Sequence, residues 1–326
     1  NANNSFVAKG IIVSAQNTPQ VKNYIPANVN LGFVTGHGTI VESSFGGCVG
    51  VSVTDSNSFT TQDLAITGQV GELIDHSKEE KNRKYTIYAD NLAVNVALED
   101  ISVNKVTAAN NATINMNVGA ISLIKDANAT TAPDVAINAL NYATAKAKVQ
   151  AVDVSGFFVT GTNFAYTTDS SSINLTVNGG STDGLQAHNL TVQAQKSTEV
   201  YTNADGANSG LLALSPVAAE VTHSSSSTTT VTVQGKLQAA GALNVQANSN
   251  DSVNLKADAL TITGFGEGDA SVQSAISNTT TINVDNADIT SGGNINIIAN
   301  NDISLNKGES KYNNTATSTN LDDNNE

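Results

Sequence analysis

The chain of 326 residues holds one cysteine, no tryptophan and a single arginine, Arg83. Each shortage closes a class of explanation. Cys48 has no partner within the chain, so no internal disulfide can staple the fold, and in its setting G-G-C-V-G-V it reads as a small buried core residue. So little cysteine also suits a long chain exported unfolded. Aromatic residues make up only 5 % of the chain, too few for the packed core of an ordinary globular enzyme but suited to a narrow core of Val, Ile, Leu and Ala. Charged residues are 13 %, about half the usual share, and the net charge is −14. Phosphate backbones and anionic membrane surfaces both need Lys and Arg, so nucleic acid and lipid headgroups are poor partners. No apolar run approaches the ~18 residues of a membrane-spanning helix. No basic segment followed by an apolar one opens the chain as a signal peptide would. It begins Asn1-Ala2-Asn3-Asn4 without Met, which reads as a processed or excised piece of something longer.

What is present is repetition. L-N-V-Q-A-N-S-N-D-S-V-N-L starts at Leu243, and I-N-I-I-A-N-N-D-I-S-L follows from Ile295, 52 residues on (295 − 243). Earlier relatives start at Leu190, Ile137, Ile87 and Ile12, at spacings of 53, 53, 50 and 75 residues (243 − 190, 190 − 137, 137 − 87, 87 − 12). A fixed period of this length marks a stacked-repeat architecture. Within a unit, apolar residues alternate: Leu243, Val245, Ala247; Val253, Leu255, Ala257; Leu260, Ile262; Val272, Ala275; Ile282, Val284. Period-two alternation argues strands with one buried face, and the intervening Asn, Asp, Ser and Gly argue turns. Helix is not supported. The Ala-rich window Ala143 to Lys148 occupies the slot held by Ser197 to Tyr201 and Ser252 to Leu255 in later units, so the repeat overrides its helix propensity.

The reading is an all-β, right-handed parallel β-helix with six units near 11–85, 86–135, 136–188, 189–241, 242–293 and 294–305, the last partial. Two coils of about 26 residues per unit give on the order of 12 coils and a rod roughly 58 Å long; three coils of about 17 residues is the alternative split. Residues 1–10 form an edge, and 306–326 a polar tail or truncated coil. The long first unit carries an inserted loop at about 68–84, which holds the charge cluster His76, Lys78, Glu79, Glu80, Lys81, Arg83 and Lys84. Loops projecting from a repeat scaffold commonly carry binding, so these seven residues are the candidate partner-binding site. The runs Asn110 to Thr113, Asp169 to Ser172, Ser224 to Thr230 and Asn278 to Thr281 are expected to align as one Ser/Thr/Asn stripe along the rod, suited to a repetitive ligand such as a glycan or a neighbouring rod.

Catalysis is not expected. The acids Asp251, Asp258, Asp269, Asp285, Asp288 and Asp302 are dispersed, and the histidines His37, His76, His188 and His223 have no metal-ligand spacing. No cofactor is expected. Gly264 to Val272 partly resembles the calcium-binding nonapeptide of repeat toxins, but that site needs tandem copies to complete its ligand shell, and one copy stands here.

The unit L-x-V-x-A-x(5)-V, with Gly241 to Asn248 and Gly292 to Asn300, resembles the rod repeats of bacterial filamentous adhesins, the haemagglutinin-like exoproteins secreted through an outer-membrane partner. The long period and acidic, Asn/Thr-rich coils are most similar to the leukotoxin-type filamentous adhesins of anaerobic Gram-negative bacteria. The similarity spans nearly the whole chain as a pattern. Neither the domain that opens such exoproteins nor a C-terminal barrel or toxin module is recognisable. The resemblance implies an internal rod segment, exported to the cell surface, with a stalk or adhesion function. Its partners would be a host-cell or bacterial surface protein or glycan, or neighbouring copies of the rod. Two alternatives stand beside it: a subunit of an extracellular filament stacking end to end, and a polysaccharide-active β-helix enzyme or phage tailspike.

Overall fold

A computed structural model describes residues 4–55, 57–75, 77–78, 83–182, 184–213, 217–265 and 268–316. Among them there is no helix; the chain is strand throughout, and every strand pairing is parallel. The first tier comprises β1 (Ser5–Val7), β2 (Gly10–Asn17), β3 (Val21–Phe45) and β4 (Cys48–Val53). The second has β5 (Ser58–Thr61), β6 (Asp63–Val70), β7 (Ile87–Asn110) and β8 (Thr113–Val118). The third has β9 (Ser122–Lys125), β10 (Asp134–Asp169) and β11 (Ser172–Asn178). The fourth has β12 (Leu185–Ala187), β13 (Leu190–Ala213), β14 (Val217–Ser225) and β15 (Thr228–Ala239). The fifth has β16 (Leu243–Phe265), β17 (Gly268–Ile276) and β18 (Thr279–Ser291), and β19 (Ile295–Ala316) opens a sixth. Residues of β19 pair past Leu305, where the sequence pattern fades, as far as Ala316.

The register shows how the repeat is used. The column Ile11, Leu64, Val135, Leu190, Leu243, Ile295 climbs one ladder through all the tiers. Ladder partners in the later tiers lie 51 to 53 residues apart (Thr228 to Thr279, Leu190 to Leu243), so one unit makes one tier rather than two coils of about 26. The expectation of 12 coils therefore does not hold. Strands of 22 to 36 residues bend around corners without leaving the ladder, and the Asn/Ser runs that look like chain-reversing turns are those bends. The second tier also begins at Asp63–Val70, a copy the sequence reading passed over. Ile87 instead pairs with Val21 and Ala145, farther round the same tier. The inserted segment, 71–86, thus belongs to the second tier. It makes that tier 13 residues longer between β6 and β7 than the tiers on either side (66 − 53 and 71 − 58).

Two apolar compartments fill the interior. One packs β6 and the starts of the long strands β10, β13 and β16 (Leu64, Ile137, Val192, Val245) against the sheet of β4, β8, β11 and β15 (Val51, Ile114, Leu175, Val233). The other lies farther along the long strands, around Ile87, Val149, Val200, Val253 and Ala257. Cys48 is not in either core. In β4 the alternation sends Val49, Val51 and Val53 inward, so Cys48 faces out and is exposed. Leu260 and Ile262 also point away from the interior, because Thr261 and Thr263, both at most 2 % exposed, take the inward positions.

Truncating Leu190, fully buried mid-column, should cost about 2–5 kcal/mol, because its neighbours above and below are fixed by the ladder and cannot collapse into the void. Denaturant unfolding of Leu190→Ala checks this; a cost below about 1 kcal/mol would mean the column is not packed.

Candidate interaction surface

The inserted segment leaves the tier at Gly71 and returns at Thr86. Its feet are stitched to neighbouring tiers: Gly71 N donates to Asn17 O (2.7 Å), and Thr86 O accepts from Val21 N (2.9 Å). Gly71 sits at φ +70°, and a Cβ there would come within 1.8 Å of Tyr142 O, so only glycine fits. Of the candidate residues, His76, Glu79, Glu80 and Lys81 lie outside the described residues. Asp75 turns the chain by accepting from Ser77 N (3.1 Å) and Ser77 Oγ (2.6 Å), bonds that hold its carboxyl below the usual range, and Lys78 Nζ pairs with it at 3.4 Å. Arg83 Nε donates back to Lys78 O (3.2 Å), while Lys84 is exposed.

At the loop's C-terminal foot lies a group that sequence reasoning missed. Lys22, Tyr88, Lys146 and Tyr201 occupy one ladder column on the outer face of the long strands, alternating cation and ring from tier to tier. Lys22 Nζ stands 4.9 Å over the ring of Tyr24 and 5.1 Å over Tyr88; Lys146 Nζ stands 5.2 Å over Tyr85 and 5.8 Å over Tyr88. Tyr85 meets Tyr201 edge-on at 6.1 Å. Tyr88 donates to Asp90 Oδ2 (2.6 Å) and Tyr201 to Glu199 Oε2 (3.1 Å). Burial, reinforced by the Glu199 charge, pushes the Tyr201 phenol up to about 12, while the nearby Arg83 works against this. The loop's one arginine and this patch therefore form one electrostatic unit. Half-buried rings with hydroxyls and cations at their rims suit sugars or polar protein surfaces. The signal available in the sequence was register: Lys146 and Tyr201 share the slot already identified from Ala143 to Lys148.

The polar runs do align. Thr113, Ser172, Thr228 and Thr279 stack in one column, and Asn115, Asn174, Thr230 and Thr281 in the next. Part of the first three runs points inward, however, since Asn110, Asp169, Ser171, Ser225, Ser227 and Thr229 are buried. The outward part continues a flat face of small polar side chains over β8, β11, β15 and β18, with Cys48, Gly50 and Ser52 completing it on β4.

At the far bend of the long strands polarity is inverted. Asn95, Asp100, Asn104, Asp153 and Asn163 are all at 0 % exposure, while Val96, Leu98, Ile101, Val154, Phe157 and Leu211 face outward. Inside, Asn104 Nδ2 donates to Asn163 Oδ1 (3.0 Å), Ser102 Oγ to Asp153 Oδ2 (2.7 Å), and Asn95 bridges Asp153 and His37. Gly161 makes room for this network, for a Cβ there would meet Asp153 Oδ2 at 2.5 Å. Outward apolar side chains thus recur over neighbouring tiers at this bend, the kind of surface on which contacts with other molecules are commonly built.

A groove of about 1070 Å³ runs over the turns beside β12 and is lined by Asp55, Gly180, Lys236, Asp285 and Asp288. Two of its carboxylates brace the backbone or neighbouring side chains: Asp55 Oδ1 accepts from Ala120 N (2.6 Å), and Asp285 accepts from Gln234 (3.2 Å) and Asn286 (3.1 Å). Among the described residues no three His, Cys, Asp or Glu side chains are grouped to hold a metal. Gly266 and Glu267 of the nonapeptide-like run lie outside the described residues. Comparison with protein families, with curated proteins and with solved structures found no match to this chain.

Burial raises Asp153 to about 6 from 3.8, against the pull of its bonds from Asn95 and Ser102; the Asp100 charge raises it further and that of His37 lowers it. The folded state then holds this proton more tightly than the unfolded chain. Its contribution to stability is full below about pH 4 and is lost as pH rises to about 6, a change of about 3 kcal/mol. Asp153→Asn should flatten stability over that window and unfold at higher denaturant near pH 7. Unfolding curves at the two pH values check it, and an unchanged pH slope in the variant would contradict it.

Proposed function

We propose that the chain is a non-catalytic rod segment of a secreted bacterial surface adhesin, a right-handed parallel β-helix that carries binding surfaces outward. Right-handedness follows from the strong preference of parallel crossovers for that hand. The observation that carries the reading is that outward side chains, and not only core ones, repeat their chemistry at the same register from tier to tier in the Thr113 and Asn115 columns, while the Lys22 column alternates cation and ring. A scaffold repeats its surface when its ligand is extended or when many weak contacts act together. The tyrosine–lysine patch with Arg83 and Lys78 is the attachment point this reading favours, for a glycan or a surface protein. Against catalysis, the two interacting carboxylates Asp100 and Asp153 are sealed from substrate, and Asp55 and Asp285 of the groove beside β12 are engaged in structural hydrogen bonds. Export through an outer-membrane partner and a place on the cell surface rest on the adhesin resemblance of the repeats.

Binding of the purified chain to glycan arrays and to host and bacterial cells tests this. The double variant Tyr88→Ala, Lys146→Ala should weaken binding roughly tenfold, the loss of about 1.4 kcal/mol expected for partly desolvated cation–ring contacts. Full binding by that variant would remove the patch from the account.

A further inference from the structure

Between the two apolar compartments lies a group that stability alone does not explain. Lys196, on β13, has a side chain at 0 % exposure, held between Asp169 at the end of β10 (2.9 Å) and Asp251 on β16 (2.9 Å), whose side chains are 2 % and 3 % exposed. Ser227 and Lys196 are hydrogen-bonded, and Asn278 donates to Asp251. Burying an ion pair costs several kcal/mol of desolvation per charge, and two carboxylates around one ammonium leave a charge in excess.

The two acids are held differently. Asp169 accepts from Asn110 Nδ2 (3.0 Å), Ser171 N (3.1 Å) and Thr198 Oγ1 (3.1 Å) besides Lys196. Burial alone would raise it, but the Lys196 charge and these bonds outweigh burial and keep it below the usual carboxylate range, as the ionised form. Asp251 is pushed the other way, toward its acid form, by burial and by the Asp169 charge, against the pull of Lys196. Lys196 Nζ faces both oxygens of Asp251, 2.9 Å from Oδ1 and 3.1 Å from Oδ2. The Cγ between them is then roughly 3–3.5 Å away, the separation of a near-attack pair.

We infer that Lys196 and Asp251 condense into an intramolecular amide bond that staples β13 to β16, with Asp169 as the base. Asp169 takes one proton from the Lys196 ammonium and keeps it. The freed amine attacks Cγ of Asp251 in its acid form, the bond from Cγ to the protonated oxygen breaks, and the departing hydroxyl takes a second proton from nitrogen and leaves as water. Nitrogen retains its last hydrogen in the new amide. No oxidant, metal or cofactor is needed, and no charge remains in the interior. Holding amine and acid together supplies the effective concentration that makes condensation possible without activation. Exclusion of water from the site opposes the reverse hydrolysis. In a chain with a single exposed cysteine, such a bond does the work of a disulfide, closing the loop between Lys196 and Asp251 across two tiers.

Mass spectrometry of the full chain, purified and then denatured, tests this. The wild type is expected to weigh one water molecule less than its sequence, with a branched proteolytic peptide joining Lys196 to Asp251. Asp169→Asn keeps both reacting groups and should carry the full mass; Lys196→Arg should do the same. A wild type of full sequence mass overturns the proposal whatever the variants do. A branched peptide joining Lys196 to Asp169 overturns the assignment of acid and base.

Discussion

The rest of this structure depends on an in-register parallel ladder that continues around corners. Along the ladders, a residue of a middle tier has the equivalent residues of the tiers above and below as its neighbours, as Val192 lies between Ile137 and Val245. A side chain that suits its position is therefore supported by two copies of itself, and an ill-suited one is penalised by both. Apolar columns become continuous cores by this rule. Polar positions inside are confined by the same rule: Asn104 and Asn163 meet at 3.0 Å because the ladder places one amide over the other, so neither is left without a partner.

The ladder also explains why the outer surface divides into strips of distinct chemistry. A column repeats what it carries, whether small hydroxyls on the sheet of β8, β11, β15 and β18, rings and ammonium groups beside the inserted segment, or apolar side chains at the far bend. The inverted bend is the least expected of these. Inside it Asn95 and Ser102 both donate to the buried Asp153 carboxylate, while Val96, Val154 and Phe157 face outward. Such an arrangement trades some hydrophobic stabilisation for an edge able to lie against another apolar surface. The buried Lys196 cluster sits where the compartments divide, so that a covalent bond there would tie the tiers together at the point with least apolar packing.

Much of the interior was legible in the sequence. Leu243, Val245, Ala247, Val253, Leu255 and Ala257 alternate with polar residues and are all buried, because period-two alternation is a direct image of the pleat. The Ala143 to Lys148 window is strand, paired with the slot from which its conformation was inferred. Coil length was not legible. Corner residues such as Asn110 and Ser225 look like loop chemistry, yet stacking with their equivalents keeps the backbone in the ladder. Leu260 and Ile262 misled because the inward phase runs unbroken through the odd-numbered positions from Leu243 to Thr263, so that Thr261 and Thr263 take the inward places and the two apolar residues face out. The loop stood out by its charge, whereas the tyrosine–lysine column needed the true register, which the insertion after Val70 concealed.

The most direct test is a distance along the stack. Spin labels placed at Asn115 and Thr281, with Cys48→Ser to remove the native thiol, lie three ladder steps apart through Asn174 and Thr230. With one tier per repeat unit, pulsed electron paramagnetic resonance should give a backbone separation of about 14 Å, three times the ordinary inter-strand spacing. Two coils per unit would double that to about 29 Å, and a result near the larger value would contradict the register on which the surface columns and the Lys196–Asp251 pairing both rest.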